Sequence, residues 1–230
     1  SLAPILKQAR DAGILVITWD SDAQEDAREY FVTPWDMDKV GDHLLESLVA
    51  QMGEEGEYAI ITGSLTADNL NRYIDSIKRL NEEKYPNLKL VSVVPSDDDQ
   101  QKAMMQAQNL ITAYPDLKGI IGASSAAPPG AAEAVKKAGK SGEIKVVGLS
   151  TPNVMRPYLK DGSAQVATLF SPKNLGYATI YVAKQLLDGN APEDGRLIPK
   201  INSRIQLQGT SIITGEPVDF TIDNVDEYDF

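Results

Sequence analysis

The stretch Ile14-Leu15-Val16-Ile17-Thr18-Trp19-Asp20-Ser21-Asp22-Ala23, residues 14–23, decides the fold. An apolar run leads into a tryptophan and then two aspartates spaced i, i+2. A short, near-continuous apolar run with polar residues at its end reads as a strand buried on both faces, and such strands belong to parallel sheets covered by helices. Working outward, runs of the same kind recur at residues 58–62, 88–94, 119–123, 145–149 and 164–170. Helix-sized segments lie between most of them. Residues 36–52 place Val40, Leu44, Leu45, Leu48 and Val49 on one stripe, and residues 69–84 do the same with Leu70, Tyr73, Ile74, Ile77 and Leu80. Residues 1–10, 99–114, 131–138 and 175–187 read likewise, and Gly13, Gly53, Pro86, Pro115, Gly139 and Gly189 supply the stops. Strand, helix, strand in repetition predicts βαβ units, an α/β fold with a parallel sheet. After Gly189 the pattern becomes turn-rich, with short strands expected at residues 204–207 and 210–214 and a polar tail.

In such sheets ligands bind beyond the carboxyl ends of the strands. The loops to inspect are therefore residues 20–22, 63–69, 124–130, 150–153 and 171–174. The chain has 230 residues, enough to bury one large or two small cores, and no apolar run nears the roughly 18 residues that cross a membrane. No basic segment followed by an apolar one marks a signal peptide, so any such peptide has been removed or lay upstream. With 22 Lys+Arg against 33 Asp+Glu the net charge is −11, the wrong sign for a phosphate-backbone binder. There is no cysteine, which removes disulfides, thiolate catalysis and cysteine metal sites.

Asp20-x-Asp22 could open a calcium loop, but the sixth and twelfth positions hold Glu25 and Phe31, not Gly and Glu. Asp97-Asp98-Asp99 precedes a helix and reads as its capping end. Gly139-Lys140-Ser141 follows a helix and reads as a turn, not a phosphate loop. The one histidine, His43, reads as a helix-surface residue with no nucleophile to activate. No metal and no cofactor is expected. Asp20 and Asp68 remain, as a hydrolytic carboxylate pair or as acceptors for sugar hydroxyls, to which an ionised oxygen bonds more strongly than a neutral one. Trp19, Asn69, Pro128, Pro129 and Phe170 stand near the same strand ends as candidate walls and polar partners, with core packing as the ordinary alternative for Trp19 and Phe170. Asp22 is expected to be a solvated loop residue.

The stretches TWDSDA, ITGSLTADNLN, AYPDLKGIIG, VVGLSTPNVMRPYLKDG and the terminal NVDEYDF resemble bacterial type I periplasmic binding proteins, closest to the branch with the autoinducer-2-binding and rhamnose-binding proteins of ABC importers. The resemblance runs essentially the whole length. It implies two Rossmann-like lobes with three crossings, a ligand held in the cleft as the hinge closes, and no enzymatic activity. It also implies an extracytoplasmic location, periplasmic or extracellular, with a lipid anchor in a Gram-positive envelope, and an ABC permease as membrane partner. By position, Asp20 resembles the hydroxyl acceptor after TW, and Asp68 the acidic residue of the next loop. Asn69 stands where the autoinducer-2 binders have glutamine. Pro129 and Ala131 resemble positions that offer backbone groups from the PPGAA loop, and Phe170 stands at an aromatic wall. The implied N-terminal lobe is 1–35 plus 151–200 and part of 201–230, and the C-terminal lobe is 36–150 plus the rest of that tail. About two βα units that precede TWDSD in the family have no counterpart here, so the first lobe is expected to be incomplete and prone to self-association. The rival readings are a carbohydrate hydrolase using Asp20 and Asp68, and the effector domain of a sugar-responsive repressor.

Overall fold

The structure is a computed structural model and describes residues 2–230. In chain order the elements are α1 (Ala3–Asp11), β1 (Ile17–Trp19), β2 (Tyr30–Thr33), α2 (Val40–Met52), β3 (Gly56–Thr62), α3 (Asp68–Lys84), β4 (Leu88–Pro95), α4 (Gln100–Ala113), β5 (Leu117–Gly122) and α5 (Ala127–Lys137). They continue with β6 (Lys145–Leu149), α6 (Pro152–Lys160), β7 (Val166–Leu169), α7 (Pro172–Leu187), β8 (Leu197–Ile198), β9 (Ser203–Arg204), β10 (Gln206–Gln208), β11 (Ser211–Ile213) and β12 (Val218–Phe220). The chain divides into two α/β units. One holds the residues up to Asp36 and Phe170–Pro217, and the other holds Met37–Leu169 and Val218–Phe230.

The second unit is a six-stranded sheet in the order β12-β7-β6-β5-β3-β4, parallel throughout except where β12 lies antiparallel on β7. Side chains alternate across a strand, so β3 must be apolar on both faces. Ala59 and Ile61 pack with α4 and α5, whereas Tyr58 points the other way and donates to Asn81 of α3 at 2.6 Å. The helix α2 buries Val40, Leu44, Leu45 and Leu48, the stripe read from the sequence. Its Gly41 lets α3 come close, since a Cβ there would stand 2.1 Å from the Tyr73 carbonyl oxygen.

The first unit has the sheet order β1-β2-β11-β10, with β1, β2 and β11 parallel and β10 antiparallel at the edge, and a small β8–β9 hairpin beside it. Leu175, Ala178 and Val182 of α7 close a core with Val32, Ile198, Ile205 and Ile212. The helix α1 buries only Ala3, and Leu2, Ile5 and Ile14 are exposed.

Several expectations need correction. The first strand begins at Ile17, not 14. The strand β2 had no counterpart in the reading, and it pairs with β1 over Ile17↔Tyr30 to Trp19↔Val32. The helix α6 was also missed. Pro152 suits a first turn, but Pro157 inside a helix removes a backbone bond. Packing compensates: Met155 and Leu159 are buried, and Arg156 donates to the Val225 and Tyr228 carbonyls. The boundary expected near 150 falls later, because α6 and β7 belong to the second unit, where β7 pairs with β6. The tail is not merely polar. Phe220 is fully buried and meets Tyr228 and Phe230 edge-on at centroid distances of 4.7 and 5.8 Å.

Candidate functional site

In the first unit the carboxyl end of β1 presents Trp19 and Asp20. Trp19 is 52% exposed, a free indole face and not core. Asp20 has φ +64, in the left-handed region that residues with a side chain enter rarely, aspartate more readily than most. Two backbone bonds define the turn: Asp20 N–H donates to the Val32 carbonyl at 3.1 Å, and Ser21 N–H to the Trp19 carbonyl at 2.8 Å. The Asp20 residue is exposed overall, yet protein packed around its carboxyl partly desolvates it and pushes its pKa above the ordinary value. Its side chain makes no hydrogen bond or ion pair among the described residues. Strained backbone of this kind concentrates at functional sites.

Just past β2 the chain places Trp35, 4% exposed, edge-on to Phe170 at 5.0 Å and 88°. Phe170 is half-buried and also packs against the Val32–Leu175 core. Trp35 was missed; the signal available was its place after a strand that was itself missed. Asp22 is exposed, as expected, but it is not free. It accepts from Arg28 Nε at 3.0 Å and Nη2 at 2.6 Å, and Arg28 is 4% exposed.

In the second unit the polar groups cluster at the carboxyl ends of β3, β4, β5 and β6. Asp68 is the first residue of α3, exposed, and does not cap it. Asn69 follows, half-buried. Neither side chain has a hydrogen-bond partner among the described residues. Asp98 (φ +54) lays its carboxylate against Gly63, where a Cβ would sit 2.1 Å from Oδ1. Asp99 caps α4 by accepting from Lys102 N–H at 2.7 Å, as the sequence indicated. Thr62 Oγ1 and Ser124 Oγ are buried with no hydrogen-bond partner among the described residues, at the ends of the adjacent strands β3 and β5. Ser150 donates to the Ser125 carbonyl at 2.9 Å. A buried hydroxyl without a partner loses free energy of roughly 1–3 kcal/mol, so Thr62 and Ser124 mark this edge as polar beyond what the fold requires. Neither was singled out from sequence.

Pro129 and Ala131, expected on a loop, lie in α5 and are buried. Two prolines open that helix without N–H groups, and Ala127 N–H is already bonded to the Ser124 carbonyl at 3.1 Å. The turn before α5 is held by close backbone contact. Gly122 faces the Pro128 ring, and Gly148 (φ +155) lies against the Gly122 carbonyl. Asp20 and Asp68 fall in different units, so neither unit alone builds a carboxylate pair.

His43 is not a bare surface residue. Its Nε2 meets Asp219 Oδ1 at 2.8 Å, and Asp219 also accepts from Thr168 Oγ1 at 2.7 Å. The bond to Asp219 raises the His43 pKa over the opposing effect of burial. Burial pushes the Asp219 carboxyl up, and the bonds from His43 and Thr168 together bring it below its ordinary value. Among the described residues no helix is long and apolar enough to cross a membrane.

A bilobal α/β frame with polar strand ends in each unit defines a class, and comparison with known proteins identifies it. Residues 1–191 match the family described as periplasmic binding protein domain, and the chain belongs to that family. It is 30% identical over 201 residues to a D-ribose/D-allose-binding protein of Pseudomonas aeruginosa, covering 84% of this chain and 61% of that protein. The chain thus spans under two thirds of the length of that curated relative. Among solved structures it superposes on a sugar ABC transporter protein of Actinomyces odontolyticus with TM-score 0.86 and 30% identity, covering 100% of this chain and 75% of the other. A solute-binding protein of Clostridium phytofermentas with bound L-rhamnose gives TM-score 0.87 and 27% identity over 99% of this chain and 76% of its own. These relatives span ribose, allose and rhamnose, so they do not single out the autoinducer-2 and rhamnose branch.

Proposed function

We propose that the chain is the ligand-capturing part of an extracytoplasmic solute-binding protein that delivers a small polyhydroxylated molecule to an ABC permease. The observation that carries this reading is Asp20: a carboxylate at the carboxyl end of a parallel strand, held in a strained conformation, with no partner on its side chain among the described residues. Such a group is set to accept hydrogen bonds from ligand hydroxyls, and Trp19 beside it offers an apolar face to a sugar ring. Phe170 backs the same unit. Asp68 and Asn69 supply polar groups from the second unit. Pro129 and Ala131 act through the backbone at the head of α5. Binding, without a chemical step, is the activity of the named relatives, and Asp20 and Asp68, on which the hydrolase reading rests, fall in different units.

Within this class autoinducer-2 is the finer reading, favoured over rhamnose by Asp68 at the start of α3, with Asn69 in place of the glutamine of the autoinducer-2 binders as the departure, and with rhamnose or another monosaccharide as the alternative. Thermal unfolding of the purified chain with D-ribose, D-allose, L-rhamnose and autoinducer-2 tests it. A ligand in hundredfold excess over its dissociation constant stabilises the folded state by about 2.7 kcal/mol, a readily measured rise in midpoint. No rise with any of the four would reject the proposal, and a rise with a sugar but not autoinducer-2 would reject the finer reading.

A further inference from the structure

Asp20 stands in the left-handed region, and contacts on either side of it tie down the turn that carries it. Thr18 Oγ1 donates to Asp22 Oδ1 at 2.5 Å, and Ala23 N–H donates to the same oxygen at 2.8 Å. One carboxylate therefore ties the last residues of β1 to the chain beyond the turn, with Asp20 between them. Arg28 in turn grips Asp22 through two bonds, from Nε at 3.0 Å and Nη2 at 2.6 Å. The Arg28 side chain is only 3% exposed. Its Nη1 donates to Thr210 Oγ1, and its guanidinium lies 5.9 Å from the centre of the Phe31 ring. Thr210 is fixed to the sheet, since its carbonyl accepts from Phe31 N–H at 3.0 Å, and its hydroxyl donates to Glu25 at 2.7 Å. The chain of contacts runs unbroken from β2 through Thr210, Arg28 and Asp22 to the turn that carries Asp20.

An ion pair with one buried partner, as here, is a poor source of stability, because desolvation offsets the attraction, and apolar residues of like volume often do as well. Its geometric effect is stronger. The planar guanidinium matches a carboxylate in only a few orientations, and a lysine cannot reproduce that fork.

We propose that Asp22 and Arg28 are positioning residues for ligand binding, which set the turn between Thr18 and Ala23 so that Asp20 presents its carboxylate before the ligand arrives. The proposal rests on the assignment of Asp20 to the ligand. A preset group loses less conformational freedom on binding, so its effect is felt as affinity.

The test uses Asp22→Glu, Asp22→Asn and Arg28→Lys in the full chain. Three quantities are measured: the thermal midpoint, the carbon chemical shifts and carboxyl titration of Asp20 by NMR without ligand, and the calorimetric affinity for whichever of D-ribose, D-allose, L-rhamnose and autoinducer-2 the wild type binds. Asp22→Glu keeps a carboxylate for Arg28 but lengthens it by one methylene, so it separates charge from position. It is expected to melt close to wild type while the Asp20 signals shift and affinity falls at least about tenfold. Asp22→Asn and Arg28→Lys should lose affinity and stability together. Unmoved Asp20 signals and wild-type affinity in Asp22→Glu would overturn the proposal, as would affinity losses that merely follow the midpoint across all three variants. If the wild type binds none of the four ligands, the assignment of Asp20 fails on its own. The ligand-free Asp20 signals then still decide whether Asp22 and Arg28 hold it.

Discussion

Substituting three glycines of the second unit separates two physical effects that the site depends on. Gly162 has φ +77 and open space where a Cβ would go, so Gly162→Ala carries only the left-handed penalty, about 1–2 kcal/mol. Gly41 has an ordinary helical backbone, but its Cβ would lie 2.1 Å from the Tyr73 carbonyl oxygen. Overpacking costs about 1–3 kcal/mol, and the alanine recovers up to about 1 kcal/mol of helix propensity, leaving a net loss near 2 kcal/mol at the upper end. Gly148 carries both burdens, with φ +155 and a Cβ 2.2 Å from the Gly122 carbonyl oxygen. Backbone strain of about 1–3 kcal/mol and overpacking of similar size sum to roughly 2–6 kcal/mol for Gly148→Ala. The obstacle is a backbone carbonyl in a paired strand, which cannot swing aside as a side-chain tip can. The same carbonyl belongs to the residue under Pro128, so the damage reaches the head of α5. Chemical denaturation of the three variants, with the slope checked for constancy, ranks them. Gly148→Ala is expected to lose at least twice what Gly162→Ala loses. Equal losses would refute the argument that close β5–β6 contact shapes this edge of the sheet.

The His43–Asp219 pair gives stability a pH dependence. His43 has a raised pKa in the folded state, so its contribution is full below the ordinary histidine value of 6.5 and is lost as pH rises through the folded value. Asp219 has a lowered pKa, so its contribution is full above 3.8 and is lost as pH falls through the folded value. Denaturation midpoints should therefore be higher at pH 5.5 than at pH 8 by an amount that Asp219→Asn removes; an unchanged pH profile in that variant would contradict the pairing. Phe220→Ala should destabilise by about 3–5 kcal/mol, measured by denaturant titration, because its ring is fully buried between the sheet and the terminal aromatics. A loss under about 1 kcal/mol would mean that the tail does not build the second core.

The central strands β3, β5 and β6 are legible in sequence because both faces are buried and the apolar runs are continuous, and the edge strand β4 is legible from its apolar run alone. Short strands are less so. Tyr30-Phe31-Val32-Thr33 follows a charged turn and ends at Pro34, so its short apolar run hides between signals of a loop. Val218-Asp219-Phe220 carries an aspartate that reads as solvated until His43, 176 positions away, is seen to pair with it. The prolines of α6 argue against a helix, and long-range contacts from Arg156 overrule them. At the site, the place of Asp20 was legible because strand ends attract ligands in this architecture, whereas its left-handed backbone was not. The exposure of Asp22 was legible, but its pairing was not, because Arg28 lies in an acidic stretch that looks exposed, and Thr210, 182 positions from Arg28, is what anchors it. Asp68 and Asn69 were found at the start of α3. The resemblance put Pro129 and Ala131 in a PPGAA loop, and the helical pattern was read only from 131, yet the helix begins at Ala127.

The most direct measurement is isothermal titration of the wild type and of Asp20→Ala with D-ribose, D-allose, L-rhamnose and autoinducer-2. The account predicts saturable binding of at least one ligand by the wild type. A hydrogen bond to a charged group is worth about 1.5–3 kcal/mol, so Asp20→Ala should bind that ligand roughly 10–150-fold more weakly, to the limit of detection, while its circular dichroism stays that of a folded chain. Wild-type affinity in a folded Asp20→Ala, or no binding of any of the four by the wild type, would contradict it.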